Sequence, residues 1–340
     1  MEKSSVLLRD VEDFCKTFAL RKELHGSSFM ITGATGLIGS ILIKCLLALD
    51  EDVKIIAPVR NAGKAKEIFG DDKRLQVVEC DLSLFDYSTL GKGDYVVHCA
   101  APTSSRFFVD RPVDTFNIII NGTQRLLEYA KTEGVKGFVF LSSLEVYGTI
   151  TDDSVSVTED IQGYLDPMSV RSSYPMAKRA AENLCALYAS QYGVPAKIAR
   201  FTQTTGAGIA KDDNRVIAQF ARHAANGEDI VLHTTGESAR PYCYTTDSVS
   251  AILYILLKGN AGEAYNVANE EAYISARGMA EYLRDNFNHD INVRIELSDN
   301  MGYAPVTKLR LSVGKLKALG WKPSYGLDRI FRNLIDYIAE

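Results

Sequence analysis

The segment Phe29-Met30-Ile31-Thr32-Gly33-Ala34-Thr35-Gly36-Leu37-Ile38-Gly39-Ser40 decides the fold. The apolar run Phe29 to Ile31 predicts a strand. Ile41, Leu42, Ile43, Leu46 and Leu47, with Lys44 and Cys45 between them, predict a buried helix. Glycines at such a junction let the backbone turn tightly, let a ligand approach and let the helix sit near the sheet. The start of the helix offers unpaired N–H groups and a positive dipole end, which suit an anion such as a dinucleotide pyrophosphate. Gly33, Thr35, Gly36, Leu37, Ile38 and Gly39 are therefore the candidate pyrophosphate contacts. The spacing is G-x-x-G-x-x-G, and its place between strand and helix favours a nucleotide over a plain connection.

Outward from this turn, strand and helix patterns alternate. Strands are predicted at Val53 to Val59, Leu75 to Cys80, Asp94 to Cys99, Gly137 to Ser142 and Ala196 to Phe201, with long helices at Pro112 to Thr132 and Arg171 to Tyr192. That alternation implies an α/β fold with a doubly wound parallel sheet. Ahead of it, Leu7, Val11, Phe14, Cys15 and Phe18 recur at helical spacing and predict an amphipathic helix packed on the core. After Gly206 the alternation loosens. A helix (Asn214 to Asn226), a short strand (Ile230 to His233) and a loop lead to Arg240-Pro241. The helix Asp247 to Lys258 and the strand Tyr265 to Val267 could rejoin the main sheet, and Ser275 to Glu340 reads as mainly helical. The expected division is an extension at 1–27, a dinucleotide-binding domain at 28–205 with 241–268, and a smaller lobe at 206–240 and 269–340. The lobe would cap the carboxyl ends of the strands, where open α/β sheets bind ligands.

Composition narrows the function. A net charge of −5 and the absence of a basic run argue against a nucleic-acid binder. No apolar segment is long enough to span a bilayer, and the charged N-terminus is not signal-like. The six cysteines are scattered without a C-x-x-C pair, so reduced thiols in the cytoplasm are expected and no metal site is read.

The second strand normally ends in an acid that binds the adenosine ribose, or brings an arginine for a 2′-phosphate. Here it runs into Val59-Arg60-Asn61 with no terminal carboxylate. Arg60 and the missing acid tilt the expected cofactor, NAD or NADP, toward NADP. Asp81-Leu82 suits either a contact to the adenine amino group or a helix N-cap. Ala100 and Ala101 would let a cofactor lie against the backbone, and His98 reads as a core histidine. Tyr174 and Lys178, four apart, project from one helix face. An ammonium near a phenol favours the phenolate and makes tyrosine a usable base. Ser143 ends the fifth strand, where it could bond the oxygen being transformed.

Together the glycine turn, Ser143 and the Tyr174–Lys178 pair resemble the extended short-chain dehydrogenase/reductase family, in its NAD(P)-dependent nucleotide-sugar epimerase/dehydratase group. Arg200 to Gly206, the Arg240…Asp247 segment and Leu319-Gly320-Trp321-Lys322-Pro323 extend the likeness over almost the whole chain from Ser28. The resemblance implies a Rossmann-like fold with a substrate lobe and a catalytic set of Ser143, Tyr174, Lys178 and Glu145. In that set Tyr174 is the base, Lys178 tunes it and holds the nicotinamide ribose, and Ser143 orients the C4 oxygen of a nucleotide-linked sugar. On the substrate side it points to Thr103, Gln203, Arg215 and Arg240, with the two guanidinium groups as diphosphate clamps. It also implies a homodimer built through the two long helices.

Glu145 stands where dehydratases and glucuronate decarboxylases of the group carry a glutamate, and the decarboxylases pair theirs with an arginine resembling Arg240. Leu144 replaces the aspartate that 4,6-dehydration needs. Gln203, Ile119 and Phe108 depart from the usual asparagine, asparagine and tyrosine. The leading expectation is an epimerase acting by transient oxidation at C4. Behind it stand a decarboxylase of a nucleotide-linked uronic acid, a 4-keto-sugar reductase and a non-catalytic NAD(P)-binding sensor. The intact Ser143, Tyr174 and Lys178 argue against the sensor.

Overall fold

The structure is a computed structural model that describes residues 5–298 and 306–340. The expected extension and the C-terminal segment each include a few residues outside that range. Helix α1 (Ser5–Thr17) precedes β1 (Ser28–Thr32), α2 (Leu37–Ala48), β2 (Lys54–Val59), α3 (Ala62–Phe69) and β3 (Leu75–Glu79). Then follow β4 (Tyr95–His98), α4 (Ser105–Asp110), α5 (Pro112–Glu133), β5 (Gly137–Ser143), α6 (Ser173–Tyr192) and β6 (Ala196–Phe201). With β10 (Ala264–Val267) these strands form a parallel sheet of seven, ordered β10-β6-β5-β4-β1-β2-β3. The order reverses between β1 and β4, and such a reversal opens a ligand crevice at the carboxyl ends of the strands.

Both sheet faces are covered. On one, Ile41, Leu42, Ile43, Cys45 and Leu46 of α2 are fully buried, because α8 (Thr245–Lys258) and α1 pack over a helix that is apolar nearly all round. On the other, α5 and α6 lie side by side, with Leu126, Leu127, Ala177, Ala181 and Cys185 facing the sheet. No helix among the described residues is long and apolar enough to cross a membrane.

The rest of the chain forms a third core. It comprises α7 (Val216–Asn226), β8 (Ile230–Leu232), α9 (Ala276–Asn286), β12 (Val293–Ile295) and α11 (Leu327–Ala339), while α10 (Gly314–Ala318) packs against α8 and β10. The segment expected to be mainly helical, Ser275 to Glu340, also holds β12, which pairs in parallel with β8. Before it, β7 (Gln203–Thr205), β9 (Ala239–Tyr244) and β11 (Asn269–Ser275) make a second sheet. Arg240-Pro241, expected in a loop, lies within β9. The three residues of β7 follow β6 too closely for a separate alternation to show, and a proline argues against the strand β9 that it nevertheless occupies.

Of the predicted face of α1, Phe14 and, just beyond the helix, Phe18 are buried, and Leu7, Val11 and Cys15 pack partly buried against the core. Val6, outside that face, is buried too. Each such buried side chain contributes about 1.5–3 kcal/mol. Its polar anchor is Asp10, fully buried, which accepts hydrogen bonds from Tyr244 Oη (2.5 Å), Asn333 Nδ2 (3.0 Å) and Tyr325 Oη (3.4 Å). One carboxylate thereby ties α1 to β9 and α11. Burial raises its pKa from 3.8 to about 6, against the hydrogen bond from Tyr244 and the charge of Arg9.

Asp10→Ala should destabilise the protein by about 2–3 kcal/mol, because it strands buried donors. Asp13→Ala, which removes a half-exposed ion pair with Arg329, should cost less than about 1 kcal/mol. Between pH 4 and 6 the folded chain keeps a proton on Asp10 that the unfolded chain has released. The stabilisation from that proton is therefore full below pH 4 and fades as pH rises through 6. Urea midpoints should show a larger penalty for Asp10→Ala at pH 4.5 than at pH 7.5; an equal penalty would remove Asp10 as the titrating group.

Candidate active site

The glycine turn closes on itself and on the neighbouring strand. Gly33 has φ +69°, and a Cβ there would lie 2.7 Å from Ala100 N and 2.8 Å from the Cys99 carbonyl carbon. A Cβ on Gly39 would lie 2.3 Å from Gly33 O, so α2 can start only this close to the strand end without a side chain. Gly36 differs: a Cβ there would meet nothing nearer than Gly33 O at 3.2 Å, so its outer side is open. No side chain caps α2, which leaves the amides of Leu37, Ile38 and Gly39 free by helix geometry. This cradle fits a pyrophosphate.

At the adenosine end, Arg60 is exposed just past β2, and its charge reaches Asp81. Asp81 Oδ1 accepts both the backbone N–H and the hydroxyl of Ser83, which hold its pKa below the usual range. The residues after Asp81 form a turn and not a helix, so Asp81 closes that turn and the expected helix cap is absent. His98 is buried as expected and bonds Thr32 Oγ1 through Nδ1 at 2.7 Å; burial lowers its pKa to about 3, so the ring is neutral.

At the nicotinamide end, α6 brings Tyr174 and Lys178 against β5. Lys178 Nζ is buried and donates to Leu141 O at 2.6 Å. Burial lowers its pKa to about 8, opposed by the carboxylate of Glu182 one turn on. Beneath it, Glu182 accepts Ser142 Oγ at 2.5 Å and a forked pair from Arg200, whose guanidinium also donates to Tyr147 Oη. Arg200 is a buried framework residue.

Tyr174 departs from expectation. Its phenol is pushed above its ordinary value by burial and by the nearby Glu145 carboxylate, and the Ser143 hydrogen bond and Arg171 only partly offset this. The Lys178 ammonium lies 5.7 Å from the Tyr174 ring centroid and is committed to a carbonyl, so it does not lower the phenol here. Ser143 Oγ accepts the Glu145 N–H at 3.2 Å. Glu145 itself pairs with Arg171, at 3.0 Å. The sequence reading passed over Arg171, although its position three residues before Tyr174 was visible. Phe108 was noted only as a departure, and its ring stacks on Tyr174 with centroids 4.2 Å apart at 11°. Arg171 lies over the Phe108 ring at 5.1 Å.

Across the cleft, β7 and β9 run in parallel, with Gln203 opposite Tyr242. Burial raises the Tyr242 phenol, and the charges of Arg240 and Arg215 both act on it, so the two arginines share this neighbourhood. Arg215 is already held by Asp213 at 2.6 Å and by Thr204 O at 2.9 Å. Arg240 is half-buried and has no ion-pair partner among the described residues. Thr103 is exposed between β4 and α4, apart from this group.

Residues 29–268 match the model of the NAD dependent epimerase/dehydratase family, and the chain belongs to that family. UDP-glucuronic acid decarboxylase 6 of Arabidopsis thaliana is 29% identical over 302 residues, covering 88% of this chain and 84% of its own. UDP-glucuronic acid decarboxylase 1 of Danio rerio is 27% identical over 315 residues, covering 91% and 72%. In fold the chain is similar to the UDP-glucose 4-epimerase of Thermotoga maritima, with a TM-score of 0.77 at 24% identity over 92% of this chain and 98% of that one.

Two alanine substitutions separate the roles of the turn. Gly36→Ala should fold within about 1 kcal/mol of wild type yet weaken dinucleotide binding about tenfold or more, because the methyl group faces the open side. Gly39→Ala should destabilise the fold by about 1–3 kcal/mol through overpacking against Gly33. Thermal melts and calorimetric titration with NAD+ check both; full affinity in Gly36→Ala would place the pyrophosphate elsewhere.

Proposed function

We propose that this enzyme oxidises C4 of a nucleotide-linked uronic acid and releases carbon dioxide from the resulting 4-keto sugar. The observation that carries the oxidation is the convergence of Ser143, Tyr174 and Lys178 at the carboxyl edge of the sheet, with one strand, β4, between β5 and the strand that leads into the glycine turn. The dinucleotide, NAD by the family's description, supplies the hydride acceptor. Tyr174 takes the C4 hydroxyl proton. Ser143 holds the C4 oxygen, and Lys178 holds the nicotinamide ribose. Because Tyr174 is buried beside a carboxylate, its proton leaves readily only once positive charge arrives next to it.

A ketone at C4 lies β to the C6 carboxylate. Loss of carbon dioxide then places an electron pair on C5, which the carbonyl draws onto the C4 oxygen, where Ser143 and Tyr174 can donate hydrogen bonds. Glu145 would repel a sugar carboxylate, but its pairing with Arg171 offsets part of that charge. The lobe at 206–240 and 269–340 would take the nucleotide, with Arg240 as the open diphosphate clamp and Arg215 sharing its charge with Asp213. The relatives named as UDP-glucuronic acid decarboxylases add support. Epimerisation of a nucleotide-linked hexose at C4 is the second reading, since Ser143, Tyr174 and Lys178 suffice for it. Phe108, which lacks the hydroxyl of the tyrosine that decarboxylases carry at the matching position, favours it.

Incubation with UDP-, dTDP-, GDP- and CDP-linked hexoses and uronic acids, followed by product mass and nicotinamide absorbance, separates these readings. Loss of carbon dioxide is expected. Unchanged mass with inverted stereochemistry would mean the epimerase, and loss of water would overturn the argument from Leu144. Tyr174→Phe should lower turnover about 10²–10⁴-fold; unaltered turnover would end its assignment as the base.

The protein also presents a surface for a second copy. Val113 and Phe116 on α5, Leu187 on α6, and Met168 and Val170 ahead of α6 are exposed along the helix pair. We infer a homodimer through α5 and α6. Light scattering should return twice the chain mass, and Phe116→Arg with Leu187→Arg should return a monomer; a monomeric wild type would refute this interface.

A further inference from the structure

Strand β2 ends without an acid, but the strand beside it supplies one. Glu79, the last residue of β3, is the register partner of Val59, the last residue of β2. Its Oε2 accepts the backbone N–H of Ala62, the first residue of α3, at 2.8 Å. Asn61 Oδ1 accepts the N–H of Lys64 at 2.8 Å. The start of α3, where a 2′-phosphate on the adenosine ribose would seek amides, therefore already holds two side-chain oxygens, one of them anionic. Asp81 adds a second carboxylate two residues on, held ionised chiefly by Ser83. The cations nearby are Arg60 and the exposed Lys64, and neither has an ion-pair partner among the described residues.

We propose that Glu79 selects NAD over NADP by standing, from β3, where other chains place the acid of β2. A ribose 2′-hydroxyl can donate to the remaining oxygen of Glu79, whereas a 2′-phosphate brings like charge against both Glu79 and Asp81 and must displace Glu79 from Ala62. The tilt toward NADP that Arg60 gave to the sequence is thereby reversed: the acid missing from β2 arrives from its neighbour. This rests on the dinucleotide occupying the glycine turn as the family description implies.

Calorimetric titration of nucleotide-free protein with NAD+ and with NADP+ tests it. Wild type should bind NAD+ at least tenfold more tightly. Glu79→Gln keeps an oxygen for Ala62 but removes the charge, and should reduce that ratio at least fivefold, chiefly by tightening NADP+. Equal or tighter NADP+ binding by wild type, or an unchanged ratio in a Glu79→Gln protein that melts like wild type, would overturn the role of Glu79. If neither dinucleotide binds wild type, the cofactor site itself falls, and this proposal with it. Arg60→Ala should leave NAD+ affinity within twofold; a larger loss would mean that Arg60, and not Glu79, holds the ribose.

Discussion

A Cβ on Gly33 would lie 2.7 Å from Ala100 N, so the chain turns here only without a side chain, and the site depends on that closeness. It brings the end of β1 against the end of β4, where the strand order reverses and a crevice opens. It also fixes the entry of α2, because Gly39 must clear the Gly33 carbonyl. Cys99, against which Gly33 packs, lies close enough to Lys178 for each to act on the other's proton affinity. A shift of the turn would therefore be felt at the buried ammonium of Lys178.

The second constraint is a buried charge. Lys178 is fully desolvated, and burial lowers its pKa to about 8 even with an opposing carboxylate nearby. Leu141 O takes one hydrogen bond and Glu182 supplies the opposing charge, while Arg200 prevents Glu182 from becoming an unpaired anion itself. The network continues through Tyr147 to Asn266, whose N–H donates to Glu159, so α6, β5, β6 and β10 are bound together under the site. Its members span more than a hundred positions in the chain.

That separation explains what the sequence revealed and what it hid. Local periodicity is a property of neighbours, so the strands, the long helices and the apolar face of α1 were legible, as were the glycine spacing and the shared helix face of Tyr174 and Lys178. Asp10, Glu79 and Arg171 were not. Each owes its role to a partner that only folding supplies: Tyr244, the amide of Ala62, and Glu145. The direction of the Tyr174 shift was misread for the same reason. The i,i+4 spacing to Lys178 was visible, but the burial and the Glu145 carboxylate that outweigh it were not. The second sheet escaped because β7 is three residues long and β9 contains Pro241.

Phe108 closes one side of the Tyr174 phenol. Its ring lies flat on Tyr174, and the Ser173 hydroxyl donates to its carbonyl at 3.0 Å, which latches α4 to the first turn of α6. Arg171 covers the outer face of that ring while pairing with Glu145. The tyrosine is thus enclosed by an aromatic face and a neutralised ion pair, surroundings that favour its protonated form. On the proposed reading, Tyr174 would act as a base only when a cation and a sugar hydroxyl lie beside it, and the raised phenol would then help. A stronger conjugate base would take the substrate proton more completely, and the enclosure that raised it would keep solvent from returning that proton.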